Sequence, residues 1–338
     1  MRKVLVFGAA AVAAVSLSGV VTPDEARAEP GPGATSPVPG ANGGRPGDGG
    51  QRPRPPRREA AGVTARAVMV TPPMPHVETY SYGDGERQRL DAYWRTRENG
   101  GVPGRRPGIL ILHGGYWMAG DKTGWRYAAR RLTTRGYVVI SANYRLAQSA
   151  RWPSQREDVQ AALEFVRRNA DLWNLDPERI VVLGSSAGGH LATQLGTYGT
   201  GASGVRGVVA LSPVVSPQRA YLDGGAAGAD RARRKLRLAV RTLIGCDPAQ
   251  DGARCLARLA DASSAEHAGP GDAPMLLLHS AGEFVPVVHG NALAAALNAA
   301  GVPAEVRTVP GDAHGGALLH DQRVFESVVR WIDGVTQD

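Results

Sequence analysis

Only two cysteines, Cys246 and Cys255, occur in the 338 residues. Two thiols cannot build a cysteine-rich zinc cage, and no His-Glu-x-x-His pair stands in for one, so no metal is expected. A Gly-Lys-Ser/Thr phosphate loop is also missing, and no cofactor is expected. Aromatic residues make up 6% of the chain and nowhere interleave with a basic stripe, which excludes the stacking platform that single-stranded nucleic acid requires. The formal net charge of +8 is therefore no sign of a polyanion partner: much of the excess lies in Arg2, Lys3, Arg52, Arg54, Arg57 and Arg58. No internal repeats are present.

Large apolar residues are nearly absent from 29 to 62, a stretch of Pro, Gly, Ser and Arg that cannot offset the entropy of its own ordering and is expected to be a disordered linker. Before it, Arg2 and Lys3 precede an apolar run from Val4 to Val21, and "ARAEP" sets Ala26 and Ala28 in a small-x-small pattern. This is the layout of a secretory signal peptide over 1–28, cut after Ala28. An uncleaved membrane anchor is the alternative, although the many Ala, Gly and Ser residues make a weak span. No cysteine lies near the cut, which excludes a lipoprotein anchor. The mature chain is expected outside the cytoplasm and off the membrane. There Cys246 and Cys255, bracketing "DPAQDGAR", are expected to close a disulfide loop; two buried thiols are the alternative.

Residues 63–338 carry the pattern of a folded domain. Strands are expected at His76–Tyr82, Arg89–Trp94, Gly108–His113, Tyr137–Asn143, Arg179–Gly184, Arg206–Ser212, Pro274–Ser280 and Ala304–Val309. Helices are expected at Thr123–Arg135, Ser154–Asn169, Ser186–Gly196, Asp230–Leu243, Val287–Ala300 and His320–Ile332. Alternation from Gly108 onward predicts an α/β fold: an eight-stranded, mainly parallel sheet with helices on both faces. "GILILHG" and "PMLLLHS" lack period-2 alternation, as central strands buried on both faces do. The first two strands have no helix between them and are expected as an antiparallel hairpin at one edge.

Open parallel sheets bind ligands at the carboxyl ends of their strands. "VVLGSSAGGHLA", residues 181–192, puts Ser186 at such an end inside Gly184-Ser185-Ser186-Ala187-Gly188. This is the G-x-S-x-G elbow: the serine occupies a strained turn, Gly184 and Gly188 let strand and helix approach, and the helix aims its positive end at a developing oxyanion. A serine needs a general base, and the base needs an orienting acid, in the chain order serine, acid, histidine. His314, in the Gly-rich loop "VPGDAHGGALL" after the last strand, is the expected base. His190, His267, His279, His289 and His320 lie on helices, in a buried strand or elsewhere. Glu283, after the penultimate strand, is the expected acid, with Asp312 as runner-up. Backbone N–H donors for the oxyanion are expected from Ala187 and from Gly115 and Tyr116 in "HGGYW", with His113 and Gly114 supporting that loop.

Together "HGGYWMAGDK", "YRLA", "EDVQAALEFVRRN", "LDPERIVVLGSSAGGHLA", "SSAEHAGPGDAPMLLLHS" and "GDAHGG" resemble the α/β-hydrolase esterases: the hormone-sensitive-lipase-like carboxylesterases, the bacterial group with feruloyl-esterase members, and kynurenine formamidase. The resemblance runs from about Tyr80 to Ile332. It implies a small helical cap at about 216–265 and ester hydrolysis through an acyl-enzyme, acting on a small-molecule ester. Arylformamidase activity, which HGGYW suggests and export argues against, is the alternative, with acyl transfer or cyclisation a third option. Two departures stand out. Tyr116 replaces a third glycine, adding bulk near the acyl side and suggesting short acyl groups. Glu283 replaces the usual Asp in a loop one residue shorter, so that the longer side chain and the shorter loop are expected to offset each other. An inactive hydrolase fold serving as a binding module would have lost one of these groups, and all are present.

Overall fold

A computed structural model describes residues 74–101, 103–199 and 204–337. Every described residue lies in the unit Ala67–Asp338. The expected signal segment, 1–28, and linker, 29–62, lie outside the described residues. Among the described residues no helix is long and apolar enough to cross a membrane.

The elements follow in the order β1 (His76–Ser81), β2 (Arg89–Trp94), β3 (Arg106–Leu112), α1 (Arg126–Thr133), β4 (Val138–Ala142), α2 (Ser154–Arg168), β5 (Leu175–Ser185), α3 (Ala187–Thr197), β6 (Gly207–Leu211), α4 (Pro217–Asp223), α5 (Arg231–Ile244), α6 (Gly252–Asp261), β7 (Met275–Ser280), α7 (Val288–Ala299), β8 (Ala304–Val309) and α8 (Gln322–Thr336). In space the strands run β1-β2-β4-β3-β5-β6-β7-β8. β2 is antiparallel to both neighbours, and every pair from β4 to β8 is parallel. The eight strands are those the sequence predicts, with ends shifted by a few residues.

The central strands explain the uninterrupted apolar runs. In β3 and β5, Leu110, Leu112 and Val182 pack with α2, α3 and α7, while Ile109, Ile111, Val181 and Leu183 pack with α1 and α8. Each such side chain contributes about 1.5–3 kcal/mol by leaving water.

Three differences from the sequence expectation have local causes. The helix expected from Thr123 starts only at Arg126, because Asp121 accepts from the Thr123 amide at 2.9 Å and fixes a 3-10 turn first. The region 216–265 holds two helices beyond the expected basic one. α4 begins at Pro217 behind a Ser216 cap that accepts from the Arg219 amide, but its seven residues are too few for a periodic signal. α6 buries Cys255 and Leu259 against α5. Cys246 and Cys255 are bonded, with Cα atoms 5.9 Å apart, tying the end of α5 to α6. This helical insertion docks on α2, where Trp152 Nε1 donates to Asp261 at 2.6 Å and Arg156 pairs with the same carboxylate at 3.1 Å.

Candidate active site

β5 ends and α3 begins at Ser186, whose φ of 54° and ψ of −115° are rare for a residue with a side chain. Its amide donates to Leu211 O at 2.7 Å, and its carbonyl accepts from the His190 amide at 2.9 Å. The two glycines are obligatory for a packing reason. A Cβ on Gly184 would lie 2.2 Å from Gly188 O, and one on Gly188 would lie 2.2 Å from Leu112 O. Only hydrogen fits between the strand, the helix and the end of β3.

Glu283 and His314 arrive on the loops after β7 and β8. His314 Nδ1 is 2.5 Å from Glu283 Oε2. The Glu283 side chain is fully enclosed. Burial pushes its pKa up, but hydrogen bonds from His279, His314 and Ser212 outweigh this and hold it below the usual carboxylate value. Its other oxygen accepts from the Ser280 amide at 2.9 Å and lies 3.2 Å from His279 Nδ1. An ionised acceptor at Nδ1 keeps the imidazole hydrogen there and leaves Nε2 as the basic atom. Asp312, the other candidate acid, is exposed, and the carboxylate in contact with His314 is that of Glu283.

Two buried serines absent from the sequence expectation seat the His314 loop. Gly315 N donates to Ser212 Oγ at 2.8 Å, and Gly316 N donates to Ser185 Oγ at 2.9 Å. Gly315 has φ of 60°, and a Cβ there would come within 2.4 Å of Ser185 Oγ and 3.9 Å of Ser186 Cβ. The His314 loop therefore lies directly on the turn at Ser186. Among the described residues no hydrogen bond joins Ser186 Oγ to His314; such bonds are often long without substrate and tighten when it binds.

The loop after β3 carries three successive positive φ values, at Gly115, Tyr116 and Trp117. Gly114 rests on the elbow, since a Cβ there would lie 3.2 Å from Ser186 Cβ, and Gly115 has no room for one beside Ala119 O. The amides of Gly115 and Tyr116 have no acceptor among the described residues. The Ala187 amide opens α3, where no helical acceptor exists. His113 pins the loop: its Nδ1 donates to Gly114 O at 2.8 Å, Arg87 donates to its Nε2 at 3.2 Å, and burial pushes its pKa down to about 4. Trp117 donates to His190 Nδ1 at 3.1 Å, and His190 Nε2 donates to Ala262 O at 2.6 Å. Burial also holds His190 near 4, so this link between the loop after β3, α3 and the residue following α6 is uncharged. His289 is buried likewise, His267 bonds Asp261 O, and His320 is exposed.

The helical insertion reaches the site through α5. Arg233 donates to Phe284 O at 3.2 Å, and Lys235 Nζ sits 4.4 Å over the Tyr116 ring. That ring stacks on Phe284, which in turn packs on His314. A cavity of about 700 Å³ lies elsewhere, between β8 and the start of α8. None of Ser186, Glu283 and His314 lines it, so catalytic geometry and not cavity size locates the candidate site.

Residues 90–211 match the family described as BD-FAE. The match includes the loop after β3 and the turn at Ser186 and stops before Glu283 and His314. Among curated proteins the chain is similar to Esterase LipC of Mycobacterium tuberculosis, 37% identical over 122 residues covering 36% of this chain and 30% of that protein. It is also similar to arylacetamide deacetylase of Oryctolagus cuniculus, 44% identical over 92 residues covering 26% and 23%. The chain thus spans about a third or less of the length of these relatives. Among solved structures it resembles the carboxylesterase EstE1 from a metagenomic library, with a TM-score of 0.66 at 24% identity over 80% of this chain and 92% of that one. Esterase B from Lactobacillus rhamnosis gives a TM-score of 0.65 at 21% identity over 78% and 87%. The fold is that of the α/β-hydrolases.

Proposed function

We propose that this α/β-hydrolase is a carboxylic ester hydrolase of the hormone-sensitive-lipase-like type, working through an acyl-enzyme on Ser186. The carrying observation is the 2.5 Å contact between His314 and a buried, ionised Glu283, on a loop seated against a strained serine. The esterase names of the relatives, LipC and arylacetamide deacetylase, support the same activity.

In this mechanism Ser186 Oγ attacks the ester carbonyl while His314 Nε2 takes its proton. Glu283 stabilises the imidazolium. The carbonyl oxygen becomes an oxyanion facing the Gly115, Tyr116 and Ala187 amides, with the positive end of α3 behind them. Collapse expels the alcohol, protonated by His314. Water, activated by the same imidazole, then releases the acid.

The preferred substrates are short-acyl esters, because the Tyr116 ring is held beside the oxyanion loop by Phe284 and Lys235. The site of action is outside the cytoplasm, on the strength of the N-terminal sequence pattern. Fluorophosphonate labelling tests the nucleophile: wild type should label and Ser186→Ala should not. A panel of p-nitrophenyl esters from acetate to palmitate, with a feruloyl ester and N-formylkynurenine, tests the substrate. Turnover of N-formylkynurenine far above that of every ester would replace the esterase assignment with the formamidase one. Product transfer to an added alcohol or amine would mark an acyltransferase.

A further inference from the structure

On the ester-hydrolase reading above, we infer that the acyl group this site selects carries a negative charge: the substrate is a monoester of a short dicarboxylic acid, and Lys235 receives its free carboxylate. The reason begins with α5. Arg231, Arg233, Arg234, Lys235, Arg237 and Arg241 are basic, and none of the helix's residues is acidic. Leu236, Ala239, Val240, Leu243 and Ile244 are buried. Arg231, Lys235, Leu238 and Arg241 recur at helical spacing and are exposed.

Several of these cations are already engaged. Arg233 lies 3.6 Å from Asp230, and its Nε donates to Phe284 O at 3.2 Å. Arg237 donates to Tyr221 O at 2.8 Å and covers the Tyr221 ring. Arg241 pairs with Asp247 at 3.0 Å. Lys235 differs from them. Among the described residues it pairs with no carboxylate, yet its ammonium stands 4.4 Å over the centre of the Tyr116 ring. The negative face of a ring attracts a cation, and this contact holds the end of a flexible stem in one place. The same ring stacks on Phe284 at 5.9 Å, and the Phe284 ring lies 4.3 Å from that of His314. An unneutralised cation thus borders the aromatic group that carries the Tyr116 amide and touches the base.

A carboxylate at the end of a short acyl chain meets two demands together. The chain stays within the length that the Tyr116 ring allows, and the charge completes an ion pair that the protein does not supply from its own residues. A neutral acyl group of the same length offers nothing to the ammonium. The carboxylate is remote from the bonds that change, so its contact is made equally in the ground state and the transition state. The gain therefore belongs in KM and not in kcat. The other cations of α5 attract anions from a distance without regard to where on the substrate the charge lies, and salt screens that attraction.

Two pairs of esters test this. Ethyl hydrogen succinate and ethyl succinamate differ in charge on the acyl side; 4-acetoxybenzoate and 4-acetoxybenzamide differ in charge on the alcohol side. The anionic-to-neutral ratio of kcat/KM is compared between each variant and wild type, which cancels the intrinsic reactivity of the esters. Lys235→Gln should lower the acyl-side ratio about fivefold and Lys235→Glu about twentyfold, both through KM, while Lys235→Arg should hold it within about twofold. The alcohol-side ratio should move less than about twofold in all three. In wild type, raising NaCl from about 20 to 500 mM should lower the acyl-side ratio about threefold, and this readout needs no variant to fold. An acyl-side ratio unmoved in Lys235→Gln and Lys235→Glu would overturn the inference. So would an equal fall in both ratios, the mark of a charged face with no fixed site, or a loss in Lys235→Arg as large as in Lys235→Gln. Failure of the underlying reading looks different: wild type would neither label at Ser186 nor turn over any of the four esters.

Discussion

Shortening Glu283 by one methylene is the sharpest test of how the acid loop works. The carboxylate is enclosed, and its Oε2 meets His314 Nδ1 at 2.5 Å. Glu283→Asp withdraws the carboxylate by about 1.5 Å, one C–C bond length. The contact would open to about 4 Å, outside hydrogen-bond range. The loop cannot easily follow, because the other oxygen is tied to the Ser280 amide and Gly282 N is bonded to Gly311 O at 2.8 Å. The expected loss in kcat is about 100-fold, with KM little changed, since the acid touches the base and not the ester. Glu283→Gln keeps the length but turns one oxygen into a donor. Facing His314, that donor forces the imidazole hydrogen onto Nε2 and removes the base; facing Ser280 N, it opposes a second buried donor. Kinetic loss of about 10³- to 10⁴-fold and destabilisation of about 1–3 kcal/mol are expected. Stopped-flow turnover of p-nitrophenyl acetate with thermal melts of each variant provides the measurement. An aspartate variant within about threefold of wild type would refute the argument from side-chain length. Full activity in the glutamine variant would remove Glu283 from the mechanism and send the search to Asp312.

Four further outcomes follow from the same structure. His113 and His190 are buried with pKa values held near 4, below the unfolded value of about 6.5, so the folded state binds fewer protons in between. Their contribution to stability is complete above pH 6.5 and is lost as pH falls towards 4, by about 2 kcal/mol each between pH 7 and 5; urea unfolding showing no decline over that interval would contradict it. Gly188→Ala places a methyl 2.2 Å from Leu112 O and 2.4 Å from His113 O, so a cost of about 3 kcal/mol or more is expected in thermal or urea unfolding. Replacing Cys246 and Cys255 together by serine should cost about 2–3 kcal/mol, matched by the effect of reductant on wild type, and equal melting with and without reductant would count against the bond. Tyr116→Gly suits φ of 59° and removes the ring, and the kcat/KM ratio of hexanoate to acetate esters should rise at least about fivefold; an unchanged ratio would mean that the ring does not limit acyl length.

Strands β3 and β7 were readable because a strand buried on both faces must be continuously apolar, and the flanking helices because an amphipathic stripe has one period. The strained turn at Ser186 was readable because it admits only small neighbours, and those neighbours are consecutive. The helices α4 and α6 were not, since one spans only seven residues, about two turns and too few to show a repeat, and the other begins at a glycine. Trp117 and His190, 73 positions apart, form a buried link whose composition matches ordinary core packing.

From the chain alone came the α/β alternation, the elbow at 184–188 and the candidates Glu283 and His314, because each expresses a local demand of backbone geometry or chemistry on adjacent residues. Tertiary structure alone decided which oxygen meets which nitrogen: that Glu283 contacts His314 while Asp312 is exposed, that Ser185 and Ser212 seat the His314 loop, and that α5 touches Tyr116 and Phe284. A hydroxyl looks the same in sequence whether it caps a helix, faces water or seats a distant loop. For Ser212 and Ser185 the role is set by partners 103 and 131 positions away, which only the folded chain brings within 3 Å.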